Sequence, residues 1–323
     1  MRRERLYLVT EMAAIRSGYP SKRTSVWHEI RKHYVLLLFV LLPLIHIMLF
    51  CYKPMYGVIL AFKKYDFGLG IWGSKWVGLK HFQKFFKSYR FEQMLTNTLV
   101  INIYALLLSV PLPMGLALVL HYVNGKRLSK ATQMITYAPH FISNVVMVSM
   151  LSLMLAKGSG VVNGIFRNMG LEAVDFLGKP ALFKHLYVWS DVWQHNGWQA
   201  IIYIATLSSV PPELYEAAVI DGAGKLQRIR YIDIQALLPT ATILLIMSCG
   251  NIMNISFEKI YLMQNSMNIS ASEVISTYVY KAAFAEGKYD YSTAINLFSS
   301  VVNFALLISV NLVARKLSDT SLF

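Results

Sequence analysis

Residues 211–239 read PPELYEAAVIDGAGKLQRIRYIDIQALLP. Apolar stretches flank this segment on both sides, yet its middle, EAAVIDGAGK at 216–225, mixes charged side chains with alanine and glycine. That middle does not belong in lipid, where a charge at the centre of a helix costs roughly 2.5–3.5 kcal/mol on insertion scales. Pro211 and Pro212 suit the first turn of a helix, where the amide has no internal partner. Glu213 and Glu216 then sit near the positive end of that helix. Gly222 and Gly224 give access to positive φ, as a sharp turn between two helices requires. A second short helix is expected over about 225–234, carrying Lys225, Arg228 and Arg230. The segment reads as a helix–turn–helix hairpin on the cytoplasmic face, with small side chains that let another protein approach its backbone. A plain connection would be shorter.

The flanking stretches decide the class. The chain has 323 residues, 55% hydrophobic and only 15% charged, against about a quarter charged in soluble domains. A helix needs roughly 20 mostly apolar residues to cross a bilayer. Blocks at about 34–52, 95–122, 134–156, 185–209, 236–256 and 291–313 meet that need. The expectation is an all-α integral membrane protein with six transmembrane helices. Pro111 and Pro113 in the second block predict a kink. The domain organisation is an N-terminal arm over 1–33, a six-helix domain over 34–314 containing the hairpin at 211–239, and a tail over 315–323.

Six crossings place both termini on one side of the membrane. Lysine and arginine are nearly balanced between the two sides, but the short loop NGKRLSK at 124–130 has three basic residues and no acid. That loop puts both termini in the cytoplasm. The arm is too long and too polar for a secretory signal; LYLVTEMAAI within it has the pattern of an amphipathic surface helix. The outer loops are basic as well. Residues 53–90 carry Lys53, Lys63, Lys64, Lys75, Lys80, Lys84, Lys87 and Arg90 against a single acid, Asp66, with aromatics between them. Either an amphipathic helix at the interface or a surface that draws in an anionic solute or acidic partner accounts for this pattern.

The net charge of +14 does not point to nucleic acid, because no aromatic-interleaved basic patch stands out. GLGIWG at 68–73 fits G-x-G-x-x-G but lies in a loop between crossings, without the strand–turn–helix context a dinucleotide site needs. There is no phosphate-binding G-x-x-x-x-G-K-[ST] loop, no H-E-x-x-H and no paired C-x-x-C. The chain therefore offers no metal site and no cofactor site of its own, and reads as a conduit or scaffold, not an enzyme. Cys51 and Cys249 read as small apolar packing residues, and His46 and His140 as packed or hydrogen-bonded.

Glu216, Ala217, Ala218, Asp221, Gly222 and Ala223, with Gly224 after them, resemble the EAA loop of ABC importer permeases. The resemblance extends to YKPMYGVILAFKKYD at 52–66, WVGLKHFQKFF at 76–86, YAPHFIS at 137–143, SFEKIYLM at 256–263 and the C-terminal stretch from Asp290. These look like the oligosaccharide class of type I importer permeases, and more narrowly its subgroup for polysaccharide fragments. The resemblance implies the type I ABC importer permease fold in a bacterial inner membrane. It also implies two ATPase subunits that bind ATP and magnesium, a second homologous permease and an external solute-binding protein. In such families the loop inserts into a cleft of the ATPase subunit. One departure is Gln235, where the pattern expects proline; the second hairpin helix is thereby expected to run straighter into the membrane.

Polar groups inside membrane helices face an interior or a watery cavity. Amides and aromatics together suit a sugar, whose hydroxyls need donors and acceptors while its faces stack on rings. The candidate path residues are Trp193, Asn196, Trp198, Asn251, Asn254 and Asn303. For any one of them, a hydrogen bond that joins two helices is the competing role. The basic outer face favours an acidic saccharide such as alginate fragments. A permease for a neutral glycan, amino acid or phosphate, and a non-transporting membrane scaffold or sensor, remain open at this point.

Overall fold

The computed structural model describes residues 32–123 and 125–317. Most of the arm at 1–33, with its LYLVTEMAAI stretch, and most of the tail at 315–323 lie outside the described residues. The chain divides into two units, with the boundary between Gly57 and Val58. The first contains helix α1 (Tyr34–Ile47), continued by a wider turn at Met48–Tyr52 and a short helix at Lys53–Met55. Apolar residues surround α1 on all sides, the composition of a lipid-facing span. Cys51 is exposed on that wider turn and Cys249 is half-buried, so the packing role expected of both cysteines fits only the second.

The second unit is helical apart from a minimal ribbon. Its main helices are α2 (Phe91–Ser109), α3 (Pro111–Tyr122), α4 (Lys126–Tyr137), α5 (Asn144–Leu155), α6 (Pro180–Ser208), α7 (Pro212–Ile220), α8 (Lys225–Cys249), α9 (Phe257–Met263), α10 (Ile275–Tyr280) and α11 (Tyr289–Leu317). Strands β1 (Lys63–Lys64) and β2 (Lys75–Trp76) pair antiparallel, Lys63 opposite Trp76. GLGIWG forms part of the turn between them, with Gly70 at φ +66°, so it is a hairpin connection and no nucleotide loop. The amphipathic helix considered for this region is confined to Lys80–Phe86.

Among the described residues, four helices are long and apolar enough to cross a membrane: Tyr34–Phe62, Phe91–Tyr122, Lys225–Cys249 and Tyr289–Lys316. The second breaks at Val110, where Pro111 opens α3, as the proline pair predicts. The third expected crossing, 134–156, is not one straight helix. It consists of two arms, Arg127–Phe141 and Asn144–Leu155, bent by 100°. Pro139 ends the first arm in a tight turn, Ile142 and Ser143 are extended, and Ser143 Oγ accepts from the Val146 amide to start α5. The fourth, α6, has 29 residues, roughly 43 Å at 1.5 Å per residue. It is long enough to cross but more polar than the others.

The fifth departs from expectation at both ends. There is no separate short helix at 225–234: α8 runs unbroken from Lys225 through a wider turn at Ile229–Asp233 into the apolar stretch. Gln235 keeps the amide that proline would remove. At the other end the helix stops at Cys249, short of residue 256. Gly250 lies against α11, where a β-carbon would come within 2.3 Å of Leu307 Cδ1.

α6 organises the unit. Phe183, Tyr187 and Val188 pack with Ile101, Val148, Ile255 and Ile260. About two to four turns past its midpoint, Ala200, Tyr203 and Leu207 pack with Ala117, Leu237 and Ala241. Between these apolar clusters Gly197 lets α4 approach so closely that a β-carbon would sit 2.0 Å from the Thr136 carbonyl oxygen. Gly197→Ala should therefore cost about 1–3 kcal/mol through overpacking, read as a lower thermal midpoint in detergent. Gly115→Ala, with nothing within 4 Å of the added carbon, should leave the midpoint unchanged or higher.

Candidate functional site

Two features of the second unit combine exposure with local design: the hairpin and a polar cavity. In the hairpin, Pro212 occupies the first position of α7. The helix ends in a Schellman motif. The Ala223 amide donates to the Ala218 carbonyl at 2.8 Å and the Gly222 amide to Val219 at 3.1 Å, with Gly222 at φ +76°. This is why alanine at 218 and glycine at 222 keep a fixed spacing: one supplies the carbonyl and the other the left-handed turn. Gly224 does not share that turn. It is extended (φ −69°, ψ 170°) and caps α8, its amide bonded to Gln227 Oε1 at 2.7 Å.

Asp233, fully buried at the root of α8, clasps the hairpin to the bundle. It accepts from the phenols of Tyr122, at 2.7 Å, and Tyr215. Burial, and then the bond to Asp233, pushes the Tyr215 phenol well above its ordinary range, so it remains a donor. Outward of this clasp Glu216, Ala217, Asp221, Gly222 and Gly224 are exposed, and Ala218 and Ala223 half-buried. Ile220 and Leu226 flank the turn at 85% and 81% exposure, an apolar pair with no partner in the chain among the described residues.

The cavity, about 420 Å³, lies between the two clusters on α6. Asp191, His195 and Gln199 reach it at four-residue spacing, one face of a helix, and Asn196 joins from the adjacent row. Across from them are Asn102 and Ser109 of α2, Ser248 of α8, and Asn251 and Asn254 from the turn after it. Asn196 Oδ1 is shielded and has no hydrogen-bond partner among the described residues. Asp191 is compensated: Lys259 Nζ, wholly buried, lies 3.2 Å from its carboxylate, and His195 Nδ1 3.4 Å. Lys259 also donates to Gln194 at 3.4 Å and sits over the Tyr187 ring at 5.4 Å.

Of the six candidates read from sequence, the structure brings Asn196, Asn251 and Asn254 together in this cavity. It places the other three elsewhere. Trp193 lies two positions from both Asp191 and His195, roughly 200° around the helix, and lines an apolar groove with Met147, Met150 and Trp189. Trp198 stacks on His140 at 4.5 Å with rings 3° from parallel. Asn303 is buried, its Oδ1 accepting from the Met253 amide at 2.9 Å, and so fastens the turn after α8 to α11. The cavity also contains Asn102, Ser109, Asp191, His195, Gln199 and Ser248, absent from the sequence-based candidates. For the α6 residues the signal was the 191–195–199 spacing; for Asn102 and Ser109 no local pattern marks them.

Residues 109–319 match the family described as "Binding-protein-dependent transport system inner membrane component". Protein LplB of Bacillus subtilis (strain 168) is 37% identical over 298 residues, covering 92% of this chain and 94% of that protein. The polygalacturonan/rhamnogalacturonan transport system permease protein YteP of the same strain is 36% identical over 302 residues, covering 94% of each. Among solved structures, a chain in the crystal structure of a bacterial alginate ABC transporter, in complex with alginate pentasaccharide-bound periplasmic protein, superposes with a TM-score of 0.84. It is 34% identical, covering 92% of this chain and 99% of that one.

The Asp191–Lys259 pair yields a direct test. Lys259→Met leaves a carboxylate facing the cavity without its cation. Breaking a buried pair costs several kcal/mol; because Asp191 is a third exposed, about 1–3 kcal/mol is expected, read as a lower unfolding midpoint. Asp191→Asn combined with Lys259→Met should recover most of that loss.

Proposed function

The chain belongs to the binding-protein-dependent transport system inner membrane component family, and from that premise we propose that it is the transmembrane permease subunit of an ABC importer for acidic oligosaccharides. It is a multi-pass membrane transport subunit and not an enzyme; hydrolysis of ATP is the work of partner ATPase subunits. The observation that carries the reading is the arrangement of hairpin and cavity along the same helices. The hairpin is clasped to the last residue of α3 and to the root of α8 through Asp233, while residues of α2 and α8 farther along line the cavity.

In this account Glu216, Ala217, Ala218, Asp221, Gly222, Ala223 and Gly224 form the knob that an ATPase subunit grips. Two ATPase subunits close on ATP and magnesium. The exposed Ile220 and Leu226 enter an apolar cleft of the partner, and the Tyr122–Asp233–Tyr215 clasp makes the hairpin and both crossings move together. A second homologous permease completes the passage, and a solute-binding protein delivers substrate to the opposite face. The termini lie in the cytoplasm, on the hairpin side. Alternating access then exposes the cavity to each side in turn.

The saccharide class rests on the amide-rich lining, with donors and acceptors suited to hydroxyls, together with the named relatives. A permease for one small ion would concentrate charge, whereas here Asp191 is already compensated by Lys259. The acidic character rests on the alginate and polygalacturonan/rhamnogalacturonan systems among the relatives and on the lysine-rich outer segments.

Gly222→Asp tests the coupling role. A side chain at φ +76° is strained, and the added charge stands where a partner must approach. The complex carrying it should lose the copurifying ATPase subunit or its hydrolysis, while the chain still inserts and folds; retention of full hydrolysis and uptake contradicts the role. For the passage, Asn196→Ala and Asn251→Ala should each lower saccharide uptake about tenfold, the loss of one or two hydrogen bonds. Trp193→Ala should change it little, and the reverse pattern would move the passage to the apolar groove.

A further inference from the structure

A chain of aromatic rings leads away from the cavity at the end opposite the hairpin. That end is defined within the second unit: Tyr122 touches the hairpin root, whereas Phe91, at the far end of the same 32-residue span, is on the other side. The rings begin at Phe257, three residues after the cavity-lining Asn254 and two before Lys259. Phe257 lies 4.5 Å from Tyr280, and Tyr261 is 5.2 and 5.3 Å from these two. Tyr280 is 5.0 Å from Phe284, Phe284 6.2 Å from Tyr289, and Tyr289 5.7 Å from Phe67. Three stretches of the chain, at residue 67, 257–261 and 280–289, supply these rings, so the alignment is a product of the fold.

Core rings would be covered, yet Tyr261, Tyr280, Phe284 and Phe67 are exposed by 42%, 37%, 68% and 70%. At its outer end the row adjoins a cleft of about 370 Å³ lined by Lys64, Lys80, Lys84 and Lys288. The acid in that cleft, Asp290, is engaged by the backbone: it accepts from the amides of Tyr65 at 3.1 Å and Tyr291 at 2.7 Å. Lys288 pairs with Glu286 and Lys84 lies over the Tyr291 ring at 4.9 Å. Lys64 and Lys80 have no acidic partner among the described residues.

We propose that this row of rings is a stacking track for an acidic oligosaccharide, along which sugar faces pass ring by ring from the lysine cleft towards the cavity. The proposal rests on the saccharide reading of the cavity and specifies its approach. A pyranose face is apolar and matches a ring in size, and centroid separations of 4.5–6.2 Å let one sugar keep contact with the next ring as it leaves the last. Carboxylates on alternate edges of the chain are met by the lysines at the entrance. A belt of aromatics that merely anchors the protein at the membrane surface would not need to start three residues after the cavity-lining Asn254 at one side and reach a cluster of lysines at the other.

The track predicts a dependence on substrate length. The test uses the complete assembly in proteoliposomes, with partner permease, ATPase subunits and loaded binding protein, and compares uptake of alginate pentasaccharide with that of the disaccharide. A chain long enough to span two rings gains from both, so Phe67→Ala with Phe284→Ala should lower maximal pentasaccharide uptake about tenfold and disaccharide uptake less than twofold. Phe67→Trp with Phe284→Tyr, which keep a ring at each position, should restore the long substrate. Equal effects on both lengths, or none, overturn the track. Loss of the partner permease from the alanine variant also overturns it, by making the rings a subunit interface. If the native assembly imports neither probe, the saccharide reading fails together with the track; if it imports both and the variants match it, the track alone fails.

Discussion

Lys259 is a wholly buried lysine. The fold depends on what meets it: the Asp191 carboxylate on the polar face of α6, with Gln194 and the Tyr187 ring beside it. A bilayer gives a charged side chain on a crossing helix no solvent, so that helix must turn its polar face inward and find a partner there. Because α6 carries Asp191, it occupies the middle of the second unit with apolar clusters on either side. Because Lys259 comes from α9, the segment after the fifth crossing folds back against α6. The cavity is what remains between these constraints. It is polar without being strongly charged, a setting for hydroxyls more than for a lone ion.

The hairpin follows from a second constraint, the need of a helix end for hydrogen-bond partners. The carbonyl of Ala218 is satisfied by the Ala223 amide only because Gly222 turns left-handed. The resulting knob is compact, small in its side chains and rigid at its root, where Asp233 holds phenols from two different helices. Rigidity at the root and exposure at the tip are what a lever requires. α8 then continues without a break from the tip into the apolar stretch, so the turn and the cavity-lining Ser248 are joined by one continuous helix.

How much of this was legible in the sequence follows the range of the forces involved. The hairpin was legible because its signals are local: proline at the start, glycine at the end, charge between apolar blocks. Even there, Gly224 was assigned the turn that Gly222 alone performs, since either glycine permits it and only the bonding decides. Crossing ends were less legible. Hydropathy extends the fifth block to 256 because it cannot register Gly250 meeting Leu307, and it joins 134–156 into one helix because a 100° bend at Ile142–Ser143 leaves composition unchanged. In the cavity, Asn196, Asn251 and Asn254 were found as polar residues in apolar surroundings. Trp193 and Trp198 were grouped with them by proximity in sequence, but the phase of the helix sends Trp193 to another face and Trp198 is taken up by stacking on His140. Asn303 satisfies the same compositional rule and is used up by a backbone amide. Asn102 joins the site from 89 positions before Asp191, a distance over which no pattern in the chain carries information.

The central claim is that this chain couples the work of an ATPase to the passage of an acidic saccharide. ATP-dependent uptake of a labelled uronate oligomer by proteoliposomes containing the reconstituted assembly tests it most directly, against a neutral oligosaccharide of equal length. The account predicts accumulation of the uronate that requires ATP and the loaded binding protein and is abolished when this chain is left out. Uptake that proceeds without ATP, or an assembly that purifies intact with its partners and moves no saccharide, would contradict it.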